Sequence, residues 1–77
     1  MTKLSHIKPA KAAQFIEDHG WVLCNRKGTH ETYAKTIDGK VYFCQVIYNN
    51  KTIYPRNVEI MIKKSLIPEE EWIERFG

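Results

Sequence analysis

Five consecutive residues of this chain carry groups that could act together on a phosphate: Arg26, Lys27, Gly28, Thr29 and His30. A glycine lets a backbone N–H approach an anion closely, and the two cations before it supply charge for a phosphate. An imidazole can both accept and donate a proton near neutral pH. A base that removes a ribose 2′-hydroxyl proton, beside cations that stabilise the charged phosphorane, can cleave RNA without a metal.

The other polar residues narrow the possible chemistry. The chain has no glycine-rich phosphate loop and no nucleophile elbow, and Cys24, Cys44, His6, His19 and His30 show no spacing typical of a zinc site. We therefore predict neither a metal nor another cofactor. A histidine at the start of a strand is also a common surface residue, so the spacing alone leaves catalysis by His30 open.

The two remaining histidines have simpler interpretations. His19 precedes Gly20 at the predicted end of a helix, where an imidazole complements the helix dipole, so we predict a capping or packing role. His6 lies in an N-terminal leader, and nothing singles it out.

Composition places the chain among ordinary globular proteins. It has 77 residues, 43% hydrophobic and 27% charged, which suits a single domain over residues 1–77 with a small core. No apolar run of about 18 residues predicts a transmembrane helix, and the N-terminal residues predict no secretory signal. Cys24 and Cys44 lie in apolar runs and are predicted to be reduced core residues in the cytoplasm.

The charges are segregated along the chain. Residues 1–64 contain eleven basic and five acidic residues, whereas residues 65–77 contain one basic and four acidic residues. A basic body with an acidic tail suggests a polyanionic partner such as nucleic acid, although an ordinary solvated surface would carry the same charges.

Periodicity and turn residues predict an α+β fold of order α-β-β-β-α, with a short helix at the C-terminus. The predicted helices span residues 9–19 and 58–65, with Asn57 as the second helix's N-cap, and a last helix opens at Pro68 and is pinned by Trp72, Ile73 and Phe76. The predicted strands span residues 21–26, 29–35 and 41–48, with a hairpin turn at Asp38-Gly39. Such an order predicts a three-stranded antiparallel sheet with both helices on one face.

Strand alternation then predicts which side chains lie on the opposite, open face of the sheet. In the first strand, Trp21 and Leu23 would face the helices, and Val22, Cys24 and Arg26 would point outward. In the second strand, Tyr33 would lie in the core, and His30 and Thr32 would project from the open face if no bulge intervenes. The facing of Tyr42, Phe43, Cys44 and Gln45 in the third strand stays open.

Residues 15–21 (Phe-Ile-Glu-Asp-His-Gly-Trp), the run from Arg26 to Tyr33 and the Asp38-Gly39 turn resemble the HicA toxin family of bacterial toxin–antitoxin modules. The resemblance covers residues 8–67 and depends chiefly on Gly20-Trp21 and on Gly28-Thr29-His30. It implies a fold like a double-stranded-RNA-binding domain, followed here by an acidic helical tail over residues 68–77. It also implies a ribosome-independent mRNA interferase with His30 as the essential residue, and a HicB-like antitoxin partner that occludes His30.

Two other functions fit the same fold. One is an RNA-binding module without turnover, in which Lys27 and His30 only contact the ligand. The other is a protein-interaction domain that uses the open sheet face or the exposed edge of the third strand.

Overall fold

The computed structural model describes residues 4, 7–49 and 51–77, and it has the predicted α+β architecture. The elements in chain order are α1 (Pro9–Asp18), β1 (Val22–Lys27), β2 (His30–Ile37), β3 (Lys40–Ile47), α2 (Pro55–Ser65) and α3 (Glu69–Phe76). The three strands form one antiparallel sheet in the order β1-β2-β3, with helices flanking it. His6 and its expected leader position lie outside the described residues.

Glycine and proline residues set several of these boundaries as predicted. Pro9 begins α1, and Gly20 follows its end with φ +94°, a conformation that glycine adopts without steric cost. Asp38 and Gly39 have φ +51° and +78°, the two positive values that a type I′ hairpin turn requires. The β2–β3 hairpin is therefore closed by the turn that the sequence predicts.

The second helix begins earlier than predicted. Pro55 occupies its first turn and Tyr54 its N-cap position, without a side-chain hydrogen bond. The predicted N-cap at Asn57 is therefore wrong, because a proline, whose φ already suits a helix, starts the helix three residues before the predicted Val58. The predicted inner stripe is confirmed, since Val58, Met61, Ile62 and Ser65 are all buried.

The C-terminal helix packs on α1 through an aromatic cluster. Trp72 is fully buried, and its ring centroid lies 4.6 Å from that of Phe15 and 5.7 Å from that of Phe76. Ile73 is 38% exposed, so the prediction that it also pins the tail is wrong. The prediction is confirmed for Trp72 and Phe76, whose rings both pack on Phe15.

His19 has the capping and packing role that its position predicts. It is the C-cap of α1, its Nδ1 lies 2.9 Å from the Phe15 carbonyl oxygen, and its Nε2 lies 3.2 Å from Oε1 of Glu71. Lys35 Nζ donates to the His19 carbonyl oxygen. The end of α1 is thereby joined to both the sheet and α3.

A β-bulge in β1 changes the facing of its second half. Leu23 pairs with Tyr33, but the next pair is Asn25 with Thr32, so Cys24 is an extra residue without a partner position. Residues after a bulge point to the face opposite from simple alternation. The prediction that Arg26 points to the open face is therefore wrong: Arg26 lies opposite Glu31, which is buried.

The two cysteines differ in their surroundings. Cys44 is buried in the core, and burial raises the pKa of its thiol to about 12. Cys24, at the bulge, is exposed. The predicted core role is confirmed for Cys44 and wrong for Cys24, whose exposure agrees instead with the alternation of β1, which predicted that it points outward.

The facing of β3 follows from its burial pattern. Cys44 and Val46 belong to the core on the helix-covered face, whereas Phe43 and Gln45 are exposed on the open face. In the described part of the chain, no helix is long and apolar enough to cross a membrane.

Candidate active site

The tip of the β1–β2 hairpin brings a cation and an imidazole together. Lys27 and His30 are directly opposite each other in the register, so their Cβ atoms are about 4.5–5.5 Å apart. Gly28 and Thr29 form the two-residue loop between them, and Gly28 has φ +60°, as a type II′ turn requires at its first central position. A Cβ at Gly28 would meet nothing within 4 Å, so the backbone angle, and not space, requires glycine there.

The loop is also hydrogen-bonded to the residue that follows β3. The backbone N–H of Tyr48 donates to the Thr29 carbonyl oxygen at 3.2 Å. Because this bond holds the turn against a second strand, the position of His30 is defined by the sheet as well as by its own hairpin.

Lys27 and His30 border a shallow depression on the open face. Its volume is about 390 Å³, and it is lined by Asn25, Lys27, His30, Thr32 and Gln45. On its floor the side-chain amide of Gln45 donates to Thr32 Oγ1 at 3.2 Å. None of the five lining residues is acidic, so the depression presents positive charge and hydrogen-bonding groups to an anionic ligand.

The two ionisable side chains at this depression are available to a ligand. Lys27 and His30 are both exposed. Among residues 7–49 and 51–77, no group forms a hydrogen bond or an ion pair with the His30 ring or the Lys27 ammonium. Within these residues, the fold therefore does not engage either side chain in a polar contact.

Arg26 is not part of this depression. Its Nε lies 3.3 Å from Oε2 of Glu31 on the helix-covered face of the sheet. Of the sequence-predicted site residues, the structure brings together Lys27, Gly28, Thr29 and His30, and it places Arg26 on the other side.

Sequence reasoning missed a polar network behind the site, centred on the buried carboxylate of Glu31. Besides Arg26, the hydroxyl groups of Tyr33 and Tyr48 donate to Glu31, at 2.9 and 3.2 Å. Desolvation raises the pKa of Tyr33 well above its ordinary value, and the hydrogen bond to Glu31 and its charge add to that effect. The pKa of Tyr48 is raised by the same causes. Both phenols therefore stay protonated and act as donors to Glu31.

Alternation predicts one contact of this network, and the other two depend on the strand register. Tyr33 lies two residues from Glu31 on the same face of β2, which alternation does predict. Arg26 and Tyr48 reach Glu31 because of the β1 bulge and because of the pairing of β3, and neither has a local sequence signal. In the described residues, no three His, Cys, Asp or Glu side chains are grouped so that they could hold a metal ion.

No protein-family model, curated protein or solved structure matches this chain. The function proposed below is therefore supported by the hairpin motif, by the geometry of the open face and by the resemblance that the motif residues carry.

Proposed function

We propose that this protein is an endoribonuclease of the HicA toxin type, which cleaves single-stranded regions of mRNA in the cytoplasm with His30 as general acid and base. The observation that carries the proposal is the pairing of an exposed imidazole with an exposed ammonium, Lys27, across a hairpin tip beside a depression whose described lining residues include no carboxylate. A carboxylate in the depression would repel a phosphodiester, and none of its lining residues supplies one.

The reaction requires only the RNA and one imidazole. His30 takes the proton of a ribose 2′-hydroxyl, and the 2′-oxygen forms a bond to the adjacent phosphorus. The bond between that phosphorus and the 5′-oxygen of the next nucleotide breaks, and the imidazolium gives its proton to this oxygen. The products are a 2′,3′-cyclic phosphate and a 5′-hydroxyl, and His30 returns to its starting state.

The other motif residues have supporting roles. Lys27 lies beside His30 and would neutralise the charge that develops on the phosphorane. Gly28 and Thr29 form the turn that holds these two side chains opposite each other. Arg26 has no role at the phosphate in this proposal, because it pairs with Glu31 on the covered face.

A HicB-like antitoxin is the proposed protein partner, and the open face has the surface that such a partner would cover. Val22, Val41 and Phe43 are 65%, 53% and 59% exposed there. Within the described residues, β3 pairs with a strand on one side only. A protein bound to this face would bury apolar area and cover His30 at the same time.

The test is cleavage of an unpaired RNA by the purified protein in the presence of a chelator. We expect fragments that end in a 2′,3′-cyclic phosphate, detected by mass spectrometry. His30→Ala should slow cleavage by about 10²–10⁴-fold. Thr36→Ala, an exposed change on the same strand and the same face, is the matched control and should cleave at the wild-type rate.

Three results would contradict the proposal. Full cleavage by His30→Ala removes the imidazole from the mechanism. Loss of all cleavage in the presence of a chelator would show that the reaction requires a metal ion. RNA binding by the wild type without any product indicates the non-catalytic module of the same fold.

A further inference from the structure

A second depression adjoins the one at His30 and shares part of its lining. We call it the β3–α2 groove, because it lies between the open face of β3 and helix α2. Its volume is about 400 Å³, and Thr32 and Gln45 line both depressions. The two are therefore one continuous surface that leads from the hairpin tip to α2.

The walls of the β3–α2 groove have the character of a base-binding surface. Phe43 and Ile60 line it with 59% and 50% of their surface exposed, so the groove presents apolar area to a ligand. Gln45 and Asn57 supply side-chain amides, which can donate to and accept from the edge of a base. An exposed phenyl ring offers a face for stacking, and every base has a π-face to place on it.

The charge of the groove favours an anionic ligand such as a nucleic-acid strand over a neutral or basic protein segment. Lys64 lines the groove, and its lining includes no acidic residue. The adjoining depression adds Lys27. One phosphate backbone could therefore meet a cation in each depression.

We propose that the β3–α2 groove binds an unpaired base of the RNA, which stacks on Phe43 while the strand continues to the phosphate at His30. This inference rests on the proposed nuclease function and deepens it, because it assigns a subsite for the substrate. It makes Phe43 a binding residue, with the amides of Gln45 and Asn57 beside the base.

The stacking contact on Phe43 requires a single-stranded ligand that also reaches His30. Phe43 pairs with Ala34, which lies four residues from His30 along β2, and four strand residues span about 13 Å. A base inside a duplex is covered on both faces by its neighbours, so only an unpaired base can stack on Phe43.

The experiment uses the His30→Ala protein, so that the RNA is not cut, and short unpaired RNAs that carry one 2-aminopurine at successive positions. We expect the fluorescence of one position to be quenched on binding, because that base stacks on Phe43. Phe43→Leu keeps an apolar side chain but removes the ring, so it should abolish the quenching and weaken binding by roughly 5- to 150-fold. Phe43→Tyr should restore both.

Two controls isolate the stacking contact. Val41→Ala removes another exposed apolar side chain two residues away on the same face of β3, and it should bind RNA as the parent does. An RNA that lacks the base at the quenched position should bind the parent at least as weakly as intact RNA binds Phe43→Leu, because it also loses the amides of Gln45 and Asn57. Phe43→Leu should weaken the binding of this RNA no further, because the base that the ring would contact is already absent.

The outcomes separate this inference from the nuclease proposal. If the wild type cuts RNA but Phe43→Leu binds as tightly as its parent, the base subsite is wrong and the groove is left to a protein partner. If the wild type neither binds nor cuts RNA, the proposed function fails and the subsite with it.

Discussion

Two neighbouring cross-strand pairs of the same hairpin lie on opposite faces of the sheet and differ in their contacts with the rest of the fold. Arg26 faces Glu31 on the helix-covered side, and one residue further along Lys27 faces His30 on the open side. The first pair is an ion pair inside a network that includes a buried tyrosine. The second pair has no partner in the described structure.

The difference shows which charged residues the fold requires. A buried carboxylate is stable only when hydrogen-bond donors satisfy it, so Glu31 and its three donors must keep one arrangement in the folded protein. An exposed ammonium and imidazole lose little when they stay hydrated, so Lys27 and His30 can exchange water for a ligand. Because of the bulge at Cys24, Arg26 lies on the covered side beside Glu31 and Lys27 lies on the open side beside His30, so a single extra residue decides which cation the fold pairs.

Glu31→Ala is the change with the largest expected effect on the covered side. It leaves the Tyr33 hydroxyl buried without its acceptor and opens a gap beneath α1, so we expect a loss of about 2–4 kcal/mol in the free energy of unfolding. Urea unfolding followed by circular dichroism measures it. Thr36→Ala, exposed on the other face of the same strand, should change stability by less than about 0.5 kcal/mol. Equal stability of the two variants would show that the network does not hold the fold.

Tyr33→Phe removes one donor and should cost less, about 1–2 kcal/mol near neutral pH, because Arg26 and Tyr48 still satisfy Glu31. The pKa of Tyr33 is raised in the folded state, so the unfolded chain loses this proton first as the pH increases. The stability that Tyr33 contributes is thus complete below about pH 10 and decreases above it.

Unfolding free energies of both proteins between pH 7 and about pH 11 test this assignment. The difference between the wild type and Tyr33→Phe should be constant up to about pH 9 and should shrink at higher pH. A difference that stays constant to the alkaline end would mean that the Tyr33 hydroxyl titrates alike in the folded and unfolded chains.

Local signals were sufficient to predict most of the fold. The backbone preferences of a few residues set these boundaries almost independently of their neighbours. They are Pro9, Gly20 and the Asp38-Gly39 turn. The start of α2 was missed where two local signals competed, and Pro55 prevailed over Asn57. The exposure of Ile73 was not predicted, because which face of α3 packs on α1 is a tertiary property.

Four of the five predicted site residues come together at the hairpin tip, and Arg26 lies elsewhere for a physical reason. His30 and Thr32 lie where alternation predicts because β2 is regular up to its turn. The face of Arg26 was predicted wrongly because a bulge depends on how β1 pairs with β2, and no residue type in β1 predicts it. The β3–α2 groove depends on the facing of Phe43, which only the register of β3 defines.

The smallest expected effect separates the two cations directly. Lys27→Ala and Arg26→Ala each remove one positive charge, so they change the net charge equally. If Lys27 contacts a phosphate, Lys27→Ala should reduce the slope of log K against log salt concentration by about 0.7, the contribution of one phosphate contact on a single strand. Arg26→Ala should leave the slope unchanged and cost up to about 1 kcal/mol of stability, since its side chain is 60% exposed and its ion pair is screened by solvent. Binding of unpaired RNA to each variant in the His30→Ala background, over a series of salt concentrations, measures the slopes. The same decrease in both variants would mean that RNA responds to total charge and not to the open face.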